Sequence, residues 1–458
     1  MNKKQTFRFL TVLTVSTGLL VTALGGEGWA QDEAAPPFAL DATALRLGQY
    51  VGAASCASGN CHGSVQPRDV YAVRQDEYFI WLKQDRHTQA YNVLLTEQSA
   101  RIARNMKLRQ QAHESKVCLD CHALFVPQDV QARPIDLAEG VSCEACHGPA
   151  GGWLARHTES GWTHEMSVQA GMKDLRDLSV RGQTCLSCHL GDAQKTVNHE
   201  LIAAGHPDLI FELDNYSAVM PPHWNQFSEK RQEQGREDFQ SARVWAVGQV
   251  VAFREGMLQL ARRARSRDWP EFAEMNCYGC HHSLRDGEWR QIRGYKFKAG
   301  LPAWNPARYA VMRVLVSAFA PQQHAQLNAQ VERLERHIAY LNTPQEQVAT
   351  TAAGLAETME RVIPQIRQAD IDNTAAARLI DAIAEEVPYL IDAEIHSVEQ
   401  AIMAINALAG AMARNNPALA QGGISRTIDK LYNDVKDRER FDRAQFTRHM
   451  AELRRQIQ

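Results

Sequence analysis

The sequence predicts a mainly α-helical chain with little regular sheet, in two parts: a cysteine- and histidine-rich core over residues 46–301 and an α-helical bundle over 302–458. Three observations lead there. All ten cysteines and 13 of the 17 histidines fall before residue 283. That region is dense in glycine and proline, as in HGPAGG and AAGHPDL, and carries few long amphipathic patterns. Beyond residue 302 cysteine disappears and apolar residues recur at helical spacing.

The N-terminus is read first, because it sets the compartment. Lys3, Lys4 and Arg8 precede an apolar stretch from Phe9 to Leu24, and Gly28 and Ala30 supply small residues before a cut at Ala30–Gln31. This is the layout of a secretory signal peptide over residues 1–30. An uncleaved anchor is the rival, but the apolar stretch is short for a span. No cysteine precedes Cys56, which leaves no site for a lipid anchor at the cut, and no later stretch reaches transmembrane length. Residues 31–45 read as a short linker. The expectation is an exported, periplasmic protein without a transmembrane segment in its mature chain. The full chain carries a net charge of −3. Removing the net positive leader leaves about −5, and such a balance gives nucleic acid no electrostatic purchase.

The cysteines fall in five pairs, each followed by histidine: Cys56, Cys61 and His62; Cys118, Cys121 and His122; Cys143, Cys146 and His147; Cys185, Cys188 and His189; Cys277, Cys280 and His281. Two thiols three apart reach the two vinyl groups of one porphyrin, and the next residue turns its imidazole onto the iron. Disulfides and a zinc ribbon are the alternatives. Five motifs of five, with no cysteine left over, point instead to covalent haem c, five per chain. The first motif has four residues between its cysteines rather than two, so its linker must loop outward, with Gly59 to help. Histidine-to-histidine spacings of 60, 25, 42 and 92 residues exclude a regular repeat.

One clear helix interrupts this core, over about 238–266. Past 302, Leu327, Val331, Leu334, Ile338 and Leu341 follow a 4-3-4-3 spacing, repeated at Ile391, Ile395, Val398, Ile402 and Ile405. Pro344, Pro364, Pro388 and Pro417 fall at helix starts or breaks. This predicts an antiparallel bundle of five or six helices. Its histidines (His324, His337, His396 and His449) read as solvent-facing or packed. The bundle is expected to be removable without loss of haem, and to serve either as plain scaffold or in docking a partner or a second copy.

Five irons need five proximal ligands, which the motifs supply. A filled sixth position makes the iron an electron carrier; an open one lets it bind substrate. The remaining histidines of the core are His87, His113, His157, His164, His199, His206, His223 and His282. His282 follows a proximal ligand directly and cannot reach the opposite face of the same iron. His113 lies in a polar run, and His164 in GWTHEMS is ambiguous. His87, His157, His199, His206 and His223 sit beside aromatic, aliphatic or glycine residues, as suits a buried haem edge. Met106, Met166, Met172 and Met220 are alternative ligands, but histidine is abundant and bis-histidine ligation is preferred.

The stretches GAASCASGNCHGS, EGVSCEACHGPAGGWLARH, CLSCHLGD, NHELIAAGHPDLIFEL and PEFAEMNCYGCHHSL together resemble the multihaem cytochromes of the cytochrome c-554 type, over residues about 48–300. The resemblance implies a mostly helical fold around closely stacked haems, periplasmic location, electron transfer, and distal ligands at His87, His157, His199, His206 and His223. Five motifs exceed the four of the family's namesake, and the bundle after 302 is no part of its core. The leading expectation is a periplasmic multihaem c-type cytochrome relaying electrons between redox protein partners, with a homo-oligomer through the C-terminal helices as a further option. The alternative is a redox enzyme with one five-coordinate haem acting on a small nitrogen or sulfur compound. No CxxCK motif supports it, and Tyr216 is only one candidate aromatic. A third reading makes the haems mere stabilisers of a small core.

Overall fold

The computed structural model describes residues 45–68, 73–224, 240–281, 297–298, 300–393, 395–415 and 423–457. The expected leader over 1–30, the linker up to residue 44, His282 and Pro417 lie outside the described residues. Among the described residues, eight α-helices precede the first long one: α1 (Glu77–Gln84), α2 (Glu97–Asn105), α3 (Lys116–His122), α4 (Cys143–His147), α5 (His164–Gln169), α6 (Leu178–His189), α7 (His199–Ala203) and α8 (Leu213–Val219). Then comes α9 (Gln240–Ala264), at the place the apolar spacing predicts. Nine follow: α10 (Ala307–Ala310), α11 (Met312–Phe319), α12 (Pro321–Ala339), α13 (Gln345–Gln368), α14 (Asn373–Glu385), α15 (Val387–Ala393), α16 (Ile395–Asn415), α17 (Gly423–Val435) and α18 (Arg443–Ile457). Among the described residues there is no strand, only isolated bridges such as Tyr50 with Gln131. The chain is mainly α.

Why the two halves look different follows from their cores. Up to residue 177 the helices are short, and the apolar residues form a small cluster of Leu94, Ala103, Ala112, Leu119 and Ala123 beneath the second motif. From Leu178 to Leu453 one apolar cluster is continuous. Its centre is α9, buried on every side through Trp245, Val247, Val251, Phe253 and Leu260; a helix apolar all round belongs in an interior. One face of α9 meets α6 and α8, and another meets α13 and α16. Gly248 makes the crossing with α8 possible, since a Cβ there would stand 2.6 Å from Leu213 Cβ. The apolar cluster thus runs on both sides of residue 302. Polar ties cross it too: Gln400 Nε2 donates to the Phe211 carbonyl at 3.1 Å, and Asn276 Nδ2 to that of Ala393 at 2.6 Å.

Details of the heptad reading change. Leu341 is 52 % exposed rather than part of a seam, because α12 ends at Ala339 and the chain turns ahead of Pro344. Ile391 and Ile395 lie in two successive helices, α15 and α16, instead of one. Pro344 caps α13 and Pro388 is the second residue of α15, as starts. Pro364 breaks nothing: it lies inside α13, where buried Val362, Ile363 and Ile366 hold the last turn in place.

Candidate haem-iron centres

Helical geometry presents three of the motifs. The second ends α3, the third constitutes α4, and the fourth ends α6. Residues i, i+3 and i+4 share a helix face, so both sulfurs and the imidazole face one way. The fifth motif is a short 3-10 turn, Cys277–Gly279, whose two cysteines are exposed. In the first, the four-residue linker bulges and the chain returns on itself: His62 N–H donates to the Cys56 carbonyl at 3.2 Å and Gly63 N–H to that of Ser58 at 3.0 Å. The residue this return requires is Gly63, which the motif reading overlooks; Gly59 offers its carbonyl to Arg68.

Across from four motif histidines stands one histidine from elsewhere in the chain. Ring centroids are 6.2 Å apart for His62 and His157, 6.3 Å for His189 and His87, 6.4 Å for His122 and His206, and 6.3 Å for His281 and His199. The planes are near parallel in the first pair (8°), near perpendicular in the second and third (84° and 87°), and tilted by 32° in the fourth. For the fifth combination, His223 is near enough to His147 to contribute to lowering its pKa.

Where Nδ1 partners are defined in these pairs, they leave Nε2 for a metal. Nδ1 of His122 faces the Ala90 carbonyl (2.8 Å), that of His157 the Leu154 carbonyl (2.7 Å), that of His206 the Pro207 carbonyl (2.7 Å) and that of His223 the Pro221 carbonyl (3.3 Å). Those of His62 and His87 meet carboxylates, Glu77 Oε2 at 3.0 Å and Asp85 Oδ1 at 2.9 Å. Such outer partners fix the ring and its tautomer. Burial pushes the pKa of His147 and His189 down to about 4, and lowers those of His122, His157 and His223. These rings are therefore neutral at pH 7, the state that ligates metal. For His62 and His87 the carboxylate hydrogen bond prevails over burial and the pKa is raised.

This donor arrangement fits an iron between paired imidazoles. An imidazole nitrogen binds a first-row metal at about 2.0–2.1 Å, which places trans nitrogens about 4 Å apart and ring centres a little over 6 Å apart. Zinc would need three or four side chains converging, and no such group of histidine, cysteine, aspartate and glutamate exists among the described residues. The close approaches between sulfurs are between motifs, Cys56 to Cys143 and Cys121 to Cys188. Two buried polar atoms beside the sites, Trp153 Nε1 and Ser142 Oγ, have no partner in the protein, and a porphyrin's carboxylates would give them acceptors. Bound there, haem would supply a one-electron redox centre; the ten cysteines would tether it and the paired imidazoles would hold its iron.

In space the sites do not follow chain order. Contacts of Cys56 with Cys143, electrostatic coupling of Cys146 with Cys188, and contact of Cys188 with Cys121 run first, third, fourth, second. Lys195 Nζ, 3.4 Å from Cys188 Sγ, lies four residues before His199 of the fifth. Glu144, inside the third motif, braces the first: its carboxylate accepts N–H groups of Val51 (3.0 Å), Gly52 (2.7 Å) and Ala150 (2.8 Å). Motif spacing could not signal Glu77 or Asp85, whereas Glu144 and Trp153, the latter edge-on to His157 at 5.6 Å, lie in a stretch the sequence singles out.

The other histidines are engaged otherwise. His164 spends Nε2 on Asp174 at 2.9 Å, and His113 packs edge-on against Tyr91. His396 is buried against Asp208 and His449 bonds Asp434 at 2.6 Å. Tyr216, with its hydroxyl given to the Ile210 carbonyl, packs with Phe211 against His189.

No helix among the described residues is long and apolar enough to cross a membrane. Searches of curated proteins and of solved structures found no match for the chain. A family model described as cytochrome c554 and c-prime matches residues 55–148, which carry the first six cysteines and the first three motifs, from Cys56 to His147. In that stretch the chain is similar to the cytochrome c-554 type of c-type cytochrome.

Proposed function

We propose that the protein is an exported, periplasmic five-haem relay in which two histidines hold every iron: His62 with His157, His122 with His206, His147 with His223, His189 with His87, and His281 with His199. The observation that carries this reading is the set of four imidazole pairs at 6.2–6.4 Å, each joining a motif histidine to a remote one. With both axial positions filled, an iron exchanges electrons without binding substrate. The adjacency of the attachment cysteines brings successive centres close. Redox proteins docking from outside would supply and remove the electrons.

The test is a count and a spin state. Purified protein should carry five covalent haems by pyridine haemochrome assay and be wholly low-spin in the ferric form. His206→Ala should keep five haems, acquire one high-spin centre and bind carbon monoxide when reduced. A wild-type protein with one high-spin haem that already binds small ligands would overturn the reading in favour of a redox enzyme acting on a small nitrogen or sulfur compound.

A further inference from the structure

Six of the paired imidazoles have a defined Nδ1 partner, and the partners are of two kinds. His122, His157, His206 and His223 face neutral backbone carbonyls. His62 and His87 face carboxylates, and both carboxylates are held firmly. Glu77 offers Oε2 to His62 while Oε1 accepts the N–H groups of Arg74 (2.9 Å) and Gln75 (3.1 Å). The nearby Arg74 guanidinium is engaged by Asp76 at 3.0 Å. Asp85, with a side chain only 5 % exposed, accepts both Nδ1 and the backbone N–H of His87, each at 2.9 Å.

We propose that Glu77 and Asp85 are positioning residues that lower the reduction potentials of the irons held by His62–His157 and His189–His87, making these two the low-potential members of the relay. The proposal rests on the bis-histidine reading above. A carboxylate drawing on the Nδ1 proton makes the imidazole a stronger donor at Nε2, which favours the oxidised metal. The fixed negative charge acts in the same direction. Reduction, Fe(III) + e⁻ → Fe(II), adds one negative charge close to a carboxylate that little water screens. The electron comes from the redox donor and the proton stays on the imidazole in both states. A carbonyl partner carries a dipole but no net charge, so the imidazoles of His122, His157, His206 and His223 lack this bias. Because the two carboxylates serve sites one and four, the spatial order first, third, fourth, second alternates lower and higher potentials. His223 of the third site feels both charges from farther away and should respond less.

The test is spectroelectrochemical titration of the five-haem protein and of Glu77→Gln and Asp85→Asn. Each variant should raise one of the two lowest midpoints by about tenfold in the reduction equilibrium, about 59 mV for a one-electron step. The two variants should move different centres, and the double variant both. Covalent haem count and low-spin spectrum, measured alongside, should stay at wild-type values. Midpoints unmoved in variants that pass those controls overturn the proposal. The two sites are independent arms, so a variant that fails to fold leaves the other decisive. A wild type lacking five low-spin haems would instead overturn the ligation reading itself.

Discussion

Gly63 occupies a position that no other residue can share: an added Cβ would stand 1.8 Å from the Ala57 carbonyl oxygen. The return of the chain after Cys61 depends on it, and so does the presentation of His62. Gly63→Ala should therefore lower the haem count from five to four while the others stay attached, as haemochrome assay and mass spectrometry would show. Ring planes give a second residue-scale expectation. Near-parallel imidazoles, as at His62 and His157, act on one iron d orbital and split the π set; perpendicular ones, as at His122–His206 and His189–His87, leave it nearly degenerate. Ferric electron paramagnetic resonance should resolve both low-spin classes, and a uniform signal would contradict these ring orientations. What the sequence reveals at this scale is local chemistry. Two thiols and an imidazole must be neighbours in the chain to serve one porphyrin, so their pattern survives in any alignment of residue and number. Which remote histidine meets which motif is decided by tertiary folding, and Glu77 and Asp85 are two acids among 53.

Helix α8 shows how an element can carry a pH dependence. Glu212 caps it, accepting the N–H groups of Asp214 (2.9 Å) and Asn215 (2.8 Å), yet it is almost wholly buried. Burial outweighs those bonds and pushes its pKa up to about 7. The folded protein therefore holds a proton that the unfolded chain releases at about 4.3. The resulting stability is complete below that value and is lost as pH rises toward 7. Glu212→Gln should flatten this part of a melting-temperature profile between pH 4.5 and 7; an unchanged slope would assign it elsewhere. Elements were legible where burial is uniform or a heptad is unbroken, as in α9 and the Leu327–Ile338 face of α12. They were misread where packing overrides a local rule. Pro364 forfeits one hydrogen bond inside α13, but three buried side chains in that turn keep the helix going to Gln368.

At the scale of the molecule, the apolar cluster that crosses residue 302 changes what truncation should do. Removing 302–458 would strip from α9 the side chains of α13 alone that include Val348, Leu355, Met359, Val362, Ile363 and Ile366, all buried. At about 1.5–3 kcal/mol each, they are comparable with the whole stability of a typical domain, about 5–15 kcal/mol. The shortened protein should keep its thioether-bound haems but lose helicity and become protease-sensitive; a compact, resistant product would show that the first 301 residues fold alone. The spatial order of the attachment sites has a consequence for biogenesis. The segments 56–143 and 121–188 overlap, so Cys56 cannot be set beside Cys143 before residue 143 has emerged, nor Cys121 beside Cys188 before residue 188 has. In the periplasm proposed above, a chain that folded ahead of haem ligation would hold those thiols together, and oxidation there would cross-link them as two wrong disulfides. On the proposed five-haem reading, cofactor attachment precedes folding, racing oxidation on the unfolded chain.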